Sequence, residues 1–409
     1  MNLLPDERFS ITAPLRHPAF RALAAGRALM YFGNGVATVA LAFAVLDVTG
    51  SLIHLGLVVG TRSLANVALL LFGGVLADRF PRDLILRGGC ALAALSQGTL
   101  AASVLLGFAS LPVMIALSLV NGAAAAANLP AAAALTPQTV PSSLLRPANA
   151  LVRIGVHIGM FVGMSAAAGL AGVLGSGWAL AVNALVFALA ALSFLLLRLP
   201  PGAGRAAGRT DVLRDLRDGW GEVASRPWVW IVVLQFMVIN ATWSGTVAVL
   251  GPAVADASFG RATWGLVVAT NSIGMLLGGV LAARWQPRRA LCFGVALAAL
   301  DAVPMAVLGT GTGIPFLLAS MFVAGVAMEQ FGVAWEVAMQ QNIPPDRLSR
   351  VYSYDGLGSF IAMPLGEVAV GPIAAVAGPG STLVGMAVLT VLATGGALAS
   401  SSVRQLKRL

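Results

Sequence analysis

Long apolar runs follow one another along almost the whole chain, separated by charged residues, prolines or glycines. A bilayer core of about 30 Å needs roughly 20 apolar residues per helix, so runs of this length predict membrane-spanning helices. The first half of the chain holds six such spans, at 22–48, 52–77, 84–106, 112–135, 147–174 and 177–197. The second half holds six more, at 228–254, 263–283, 289–309, 314–338, 351–376 and 380–401. The pattern predicts an all-α membrane protein with twelve transmembrane helices in two six-helix halves.

A polar stretch and an internal repeat define the predicted domain organisation. Residues 198–227 form the one long polar stretch, which predicts a cytoplasmic linker between an N-terminal half, 1–197, and a C-terminal half, 228–409. The segment 73–79 reads Gly-Gly-Val-Leu-Ala-Asp-Arg, and the segment 278–284 reads Gly-Gly-Val-Leu-Ala-Ala-Arg. This repeat indicates that the two halves share one plan, as in transporters built from parallel repeats.

Composition and charge favour a membrane protein and argue against several other classes. The 409 residues are 58% hydrophobic and 10% charged, and the net charge of +9 comes mainly from arginines in short loops. These arginines follow the even-numbered spans, so the positive-inside rule predicts a multi-pass protein of the inner or plasma membrane with both termini in the cytoplasm. The same pattern argues against nucleic acid as a partner. The two cysteines lie in apolar runs and the three histidines are scattered, so we expect no metal site and no cofactor.

Ionisable side chains at membrane depth cost roughly 3 kcal/mol each, so each of them is a functional candidate. Glu329 and Glu336 lie seven residues apart in the tenth span, on one helical face and about 10 Å from each other. They are the leading candidates for a proton-coupling or substrate-cation site, with a static ion pair inside the bundle as the alternative. Arg27 and Arg153 lie near the cytoplasmic ends of their spans, where we expect them to snorkel toward the headgroups.

Glycines and prolines mark predicted contacts and bends. Gly155, Gly159 and Gly163 form a ridge of small residues on the fifth span, which predicts a close helix contact. Pro364 and Pro372 predict a kink in the eleventh span.

A short sequence after the second span resembles a family signature. Residues 74–82, Gly-Val-Leu-Ala-Asp-Arg-Phe-Pro-Arg, resemble the motif between helices 2 and 3 of the major facilitator superfamily. Together with the twelve spans, the repeat and the sequence Asp-Val-Thr-Gly-Ser at 47–51, the chain resembles the exporter branch that contains enterobactin and macrolide efflux proteins. Pro81 and Asp83 depart from the motif, which has a glycine and a basic residue at these positions. The resemblance covers the whole chain.

This resemblance implies a central cavity lined by the first, fourth, seventh and tenth spans, the last of which carries Glu329 and Glu336. The other cavity candidates are polar or aromatic side chains: Tyr31, Asn34, Asn121, Asn128, Gln235, Asn240 and Trp243. Polar groups that are mostly neutral suit a bulky, amphipathic substrate better than a small ion.

The resemblance also implies gating residues at both ends of the bundle. On the cytoplasmic side the signature would act as a latch that forms in one conformation only, and its residues are Gly74, Asp78, Arg79 and Arg82, with a counterpart at the start of the eleventh span near Asp355. The alternative is that these charges only mark the cytoplasmic interface. Arg62 and Glu367 lie at matching depths from the outer ends of the second and eleventh spans, which suggests the hypothesis that they pair to close the extracellular side. Separate packing roles are the alternative for this pair.

No Gly-x-x-x-x-Gly-Lys-Ser/Thr sequence is present, so we expect an ion gradient rather than ATP to supply the energy. The preferred hypothesis is a proton-coupled exporter of an amphipathic small molecule, such as a drug, antibiotic or siderophore, that works by alternating access. A nutrient uptake symporter and a non-transporting membrane sensor are the alternatives. An enzyme is not expected, because no nucleophile and base stand together in the sequence. The expected partners are a small-molecule substrate, protons and the lipid bilayer, and the expected state is a monomer.

Overall fold

The computed structural model describes residues 12–79, 81–197 and 221–406, the last range with gaps at 222, 285, 286 and 288. Within these ranges the helical side chains at 70–79, 129, 130, 133, 134, 142, 146, 283, 345, 346, 349, 350 and 353 are not described. Every regular element of the described residues is a helix. Twelve of these helices are long and apolar enough to cross a membrane. The predicted fold class, an all-α membrane protein with twelve transmembrane helices, is confirmed.

The first compact unit contains the described residues of Met1–Ser51 and Thr61–Gly208. Its helices are α1 (Pro18–Thr49), α2 (Leu52–Arg79), α3 (Arg82–Leu105), α4 (Leu111–Thr139), α5 (Leu145–Val173) and α6 (Ser176–Leu195). The opening of α2, Leu52–Gly60, belongs to the second unit instead. Most of the predicted linker lies outside the described residues, so the predicted domain boundaries stay a prediction.

Helix α1 lies at the centre of the first unit and packs against α4, α5 and α6. Its contact with α5 is close because glycines of α5 face it. A Cβ atom added at Gly159 would lie only 2.5 Å from the carbonyl oxygen of Ala28. On the side of α3 and α6, Leu23, Phe187 and Phe194 form part of a buried apolar cluster. The glycine ridge predicted from the sequence is therefore a helix contact in the structure.

The second unit contains Leu52–Gly60 and the described residues of Arg209–Leu409. Its main helices are α7 (Pro227–Ala257), α8 (Arg261–Arg284), α9 (Ala290–Thr310), α10 (Ile314–Asn342), α11a (Pro345–Phe360), α11b (Met363–Ala377) and α12 (Pro379–Ala399). Helix α10 packs on α8 and α9, and α7 packs on both parts of α11 and on α12. Stacked rings join α7 to α10, with the centroids of Phe236 and Phe331 4.0 Å apart.

Three helices of the second unit are irregular, and the sequence indicated only one of them, the eleventh span, through its prolines. Helix α7 contains a π-helical segment, Gly245–Leu250, and α9 contains a 3-10 turn, Ala298–Asp301. The eleventh span begins earlier than predicted and is interrupted at residues 361 and 362, just before Pro364. A proline lacks the backbone donor and its ring clashes with the carbonyl of the preceding turn, so the interruption at this point has a local cause.

Candidate functional site

A polar cluster joins three helices of the first unit. Arg62 of α2 donates through Nε to Oδ1 of Asn121 on α4, at 2.8 Å, and through Nη2 to Oδ1 of Asn34 on α1, at 3.2 Å. Asn121 is 1% exposed, while Arg62 and Asn34 are half-buried. Two residues predicted to line a cavity and one predicted to gate it therefore contact one another.

Arg27 lies two turns before Asn34 on α1 and is directed toward α4. Its Nη1 donates to the carbonyl oxygen of Ala132 at 3.3 Å and to the hydroxyl of Thr136 at 3.4 Å. The guanidinium also interacts electrostatically with the side chain of Tyr31, one turn further along α1. The expectation that Arg27 snorkels toward the headgroups is wrong, because the carbonyl of Ala132 and the hydroxyl of Thr136, both buried on α4, accept hydrogen bonds from it instead.

Asn128, the other asparagine of α4, has a different environment from Asn121. It is 2% exposed and packs against α3, with Nδ2 3.9 Å from the sulfur of Cys90. The amide fits beside α3 because Gly89 has no side chain there. The structure therefore brings Asn34 and Asn121 together and keeps Asn128 in the interior of the first unit.

The candidate residues of α7 contact neighbouring helices of the second unit. Gln235 donates to the hydroxyl of Thr394 on α12 at 3.1 Å, and Asn240 donates to the carbonyl oxygen of Ser359 on α11a at 3.0 Å. Trp243 packs beside an apolar cluster of α9 and α12. Gln235 is 3% exposed, and Asn240 and Trp243 are half-buried.

Glu367 of α11b is a buried acid, 2% exposed, and accepts a hydrogen bond from the hydroxyl of Ser244 on α7. Ser244 immediately precedes the π-helical segment of α7. Segments of this kind are frequent at functional sites because they widen a helix locally and redirect its side chains. Neither Ser244 nor the π-helical segment was a sequence candidate. The predicted pairing of Arg62 with Glu367 stays a prediction.

Asp355 of α11a is held by two neutral donors. Nε1 of Trp335 on α10 donates to Oδ2 at 3.0 Å, and the hydroxyl of Ser359 donates to Oδ1 at 3.4 Å. The same Ser359 accepts the hydrogen bond of Asn240 through its carbonyl oxygen. One chain of contacts thus joins α7, α10 and α11a next to the interruption of the eleventh span. Trp335 could not be found from the sequence, since an indole in an apolar run is typical of packing.

Glu329 and Glu336 lie on α10 and are both half-buried. The carboxylate of Glu329 lies beside α8, so that a Cβ added at Gly279 would be 3.8 Å from Oε1. Among the described residues Glu329 makes no hydrogen bond or ion pair. Glu336 accepts a hydrogen bond from Gln340 at 3.3 Å. The two acids therefore differ in their surroundings although they share a helix.

Only part of the cytoplasmic signature has described side chains. Of the predicted latch residues, Gly74, Asp78 and Arg79 lie in the part of α2 whose side chains are not described. Arg82 is half-buried at the start of α3. The next residue, Asp83, forms an ion pair with Arg87, with Oδ2 2.8 Å from Nη2. In the part of the chain that is described, no group of three metal-binding side chains exists.

Comparison with known families and curated proteins gives matches along most of the chain. The sequence profile of the Major Facilitator Superfamily matches residues 23–367. An uncharacterised MFS-type transporter of Sinorhizobium fredii is 28% identical over 276 residues, 66% of this chain and 67% of that protein. The enterobactin exporter EntS of Shigella boydii is 29% identical over 271 residues, 64% of this chain. The matched part spans 63% of the exporter's own length, which is less than two thirds.

Solved structures of transporters share the fold. A bacterial homologue of the human lysosomal transporter Spinster superposes with a TM-score of 0.77 at 16% identity, covering 96% of this chain and 98% of the other. The nucleoside transporter NupG superposes with a TM-score of 0.73 at 17% identity, covering 93% and 98%. At this identity the likeness concerns the fold alone.

Proposed function

Because this chain belongs to the major facilitator superfamily, we propose that it is a secondary active transporter that exports an amphipathic small molecule in exchange for protons, by alternating access. The similarity to enterobactin exporters supports the outward direction. In this role the protein moves its substrate and catalyses no chemical step.

The observation that carries the proton-coupling role is the environment of Glu329. A carboxylate in a membrane-spanning helix is costly, so such an acid usually has either a partner or a function. Glu329 is half-buried on α10 and has no hydrogen bond or ion pair to the described residues. No ion pair within the described residues would therefore have to break before this carboxylate takes up or releases a proton. Glu336 is a second acid for the same role, although Gln340 already donates to it.

The chemistry of the candidate cavity residues supports an amphipathic substrate. Amides and hydroxyls supply neutral donors and acceptors, and aromatic rings supply apolar surface. We assign this role to Tyr31, Asn34, Asn121, Asn128, Gln235, Asn240 and Trp243. Among them Asn34 and Asn121 have the strongest support, because both contact Arg62.

Gating is proposed for the remaining charged candidates. The signature residues Gly74, Asp78, Arg79 and Arg82 would close the cytoplasmic side, with Asp355 as a counterpart. Asp355 is held by Trp335 and Ser359, so its release would loosen contacts beside the interruption of the eleventh span. For Arg62 and Glu367 we propose closure of the extracellular side.

The arginine-rich loops support an inner or plasma membrane location with both termini in the cytoplasm. A protease added to sealed right-side-out vesicles should then leave a tag at the C-terminus intact, and loss of the tag would contradict this orientation. We propose that a single chain is the transporting unit.

Accumulation of a fluorescent amphiphile in cells tests the direction of transport. Energised cells that express the protein should accumulate less of the probe than cells that express Glu329→Gln at the same level. A protonophore should abolish the difference, because it removes the gradient that drives export. Higher accumulation in energised cells with the wild-type protein would contradict export and favour uptake by symport.

A further inference from the structure

A stripe of polar side chains follows one side of α1 in the first unit. Arg27, Tyr31, Asn34 and Thr38 recur at helical spacing, and all four are half-buried. Their neighbours Gly33, Val36 and others on the packed sides of α1 are buried, because α4, α5 and α6 cover them. Polar side chains at membrane depth face the bundle interior or a water-filled space. This stripe is therefore an accessible polar surface of the first unit.

Arg27 has no counter-ion among the described residues, and its acceptors are all neutral. The hydrogen bonds to Ala132 and Thr136 are long, at 3.3 and 3.4 Å, and use the same nitrogen. Nε is buried and has no hydrogen-bond partner in the described structure. A guanidinium has five donors in a planar fork, so Arg27 retains donors for a further acceptor.

Tyr31 adds a second donor at the same place. Its side chain interacts electrostatically with the guanidinium of Arg27. The phenolic hydroxyl has a proton of its own to donate. Arg27 and Tyr31 lie one turn apart on α1, so both can reach one oxygen-bearing group.

We propose that Arg27 and Tyr31 form the binding site for an anionic group of the transported molecule, a carboxylate, phosphate or phenolate carried on an amphipathic body. The guanidinium bonds the anion and the Tyr31 hydroxyl donates to one of its oxygens. Arg27 lies in the cytoplasmic part of α1 if the proposed orientation holds, which is where an exporter meets its substrate. This inference rests on the proposed function and narrows its substrate class.

Binding of three dansyl probes to the purified full-length protein tests the site. Dansylglycine carries a carboxylate and dansylglycinamide is its neutral analogue of nearly the same size, so charge is the main difference between these two probes. Dansylcadaverine carries an amine on a longer chain and serves as the cationic probe. In nanodiscs of phosphatidylcholine, the wild-type protein should bind dansylglycine roughly tenfold more tightly than the amide, as expected for a charge-assisted hydrogen bond. Dansylcadaverine should bind most weakly.

Matched variants separate the site from general effects. Arg27→Gln should remove the preference for dansylglycine, and Tyr31→Phe should weaken its binding severalfold while leaving the amide unchanged. Arg153→Gln removes the same charge from an exposed position on α5 and should leave the preference intact. Equal affinities for dansylglycine and the amide in the wild type, no binding of any probe, or an unchanged preference in Arg27→Gln would overturn the proposal.

A lipid headgroup offers the same chemistry as an anionic substrate. Nanodiscs that contain phosphatidylglycerol should leave dansylglycine binding unchanged if the site serves the substrate, and competition by this lipid would reassign the site to the membrane. Proton flux is a separate readout. Flux driven by a neutral amphiphile, with no preference for dansylglycine, would overturn this inference and leave the proposed function standing. Preference for dansylglycine without any proton flux would support the anion site and contradict the proposed exchange for protons.

Discussion

Two buried asparagines on α4 allow the polar cluster around Arg62 to be tested at the scale of single residues. Asn121 accepts the Nε donor of Arg62 at 2.8 Å, whereas Asn128 makes only a weak contact with the sulfur of Cys90. A hydrogen bond to a charged group contributes about 1.5–3 kcal/mol, and a neutral contact to sulfur contributes less.

Replacing Asn121 should therefore cost more than replacing Asn128. We expect Asn121→Ala to lower the free energy of unfolding by about 1–3 kcal/mol, because it leaves a guanidinium donor without its acceptor. Thermal unfolding of the purified variants in detergent measures the effect, with Asn128→Ala as the control. Equal losses for the two variants would show that the Arg62 hydrogen bond adds nothing to stability.

The sequence singles out individual polar residues, but it does not predict which groups they contact. Asn34, Asn121 and Arg62 are conspicuous because polar side chains are costly at membrane depth. Their mutual contacts depend on how α1, α2 and α4 are rotated, which the apolar pattern leaves open. Arg27 shows the same limit. A position near the end of a span predicts snorkelling, but the carbonyl of Ala132 and the hydroxyl of Thr136 attract its guanidinium.

At the scale of elements, the contact of α1 with α5 depends on individual glycines. A Cβ at Gly159 would lie 2.5 Å from the carbonyl oxygen of Ala28, closer than real contacts allow. A Cβ at Gly155, one turn earlier on the same helix, would lie 3.6 Å from the Cβ of Ala28, an ordinary van der Waals contact.

Alanine at these two positions should therefore have opposite effects. Gly159→Ala should destabilise the first unit by about 1–3 kcal/mol, since the helices must separate to admit the methyl group. Gly155→Ala should be neutral or stabilising by up to about 1 kcal/mol, since alanine favours the helix. The thermal midpoint of each variant in detergent is the measurement, and equal shifts in the same direction would argue against the close α1–α5 contact.

The irregular parts of the second unit are the elements that the sequence predicted least well. Pro364 indicated a disturbance of the eleventh span, and the interruption lies just before it. Nothing comparable marks the π-helical segment Gly245–Leu250, because one extra residue in a turn leaves the apolar pattern of α7 almost unchanged. Its place after Ser244, which donates to Glu367, becomes visible only when α7 and α11b are packed together.

At the scale of the whole molecule, the twelve spans were predictable because lipid leaves few alternatives. Each span must satisfy its own backbone and present apolar side chains outward. Leu95 of α3 and Leu392 of α12, 69% and 65% exposed, are examples of this outward surface. The assignment of Leu52–Gly60 to the second unit was not predicted. The sequence repeat indicates where the chain divides into two halves, but it contains no information on what the first residues of α2 contact.

Proton movement in proteoliposomes tests the central claim, that substrate export is exchanged for protons through Glu329. An internal pH dye would report the flux as a siderophore, a macrolide and a lipophilic cation are added in turn. We expect substrate-dependent proton flux with the wild-type protein, loss of that flux in Glu329→Gln, and a smaller reduction in Glu336→Gln, whose acid already has a donor in Gln340. Unchanged flux in Glu329→Gln, or no flux with any compound from protein that elutes as a folded species, would contradict the claim.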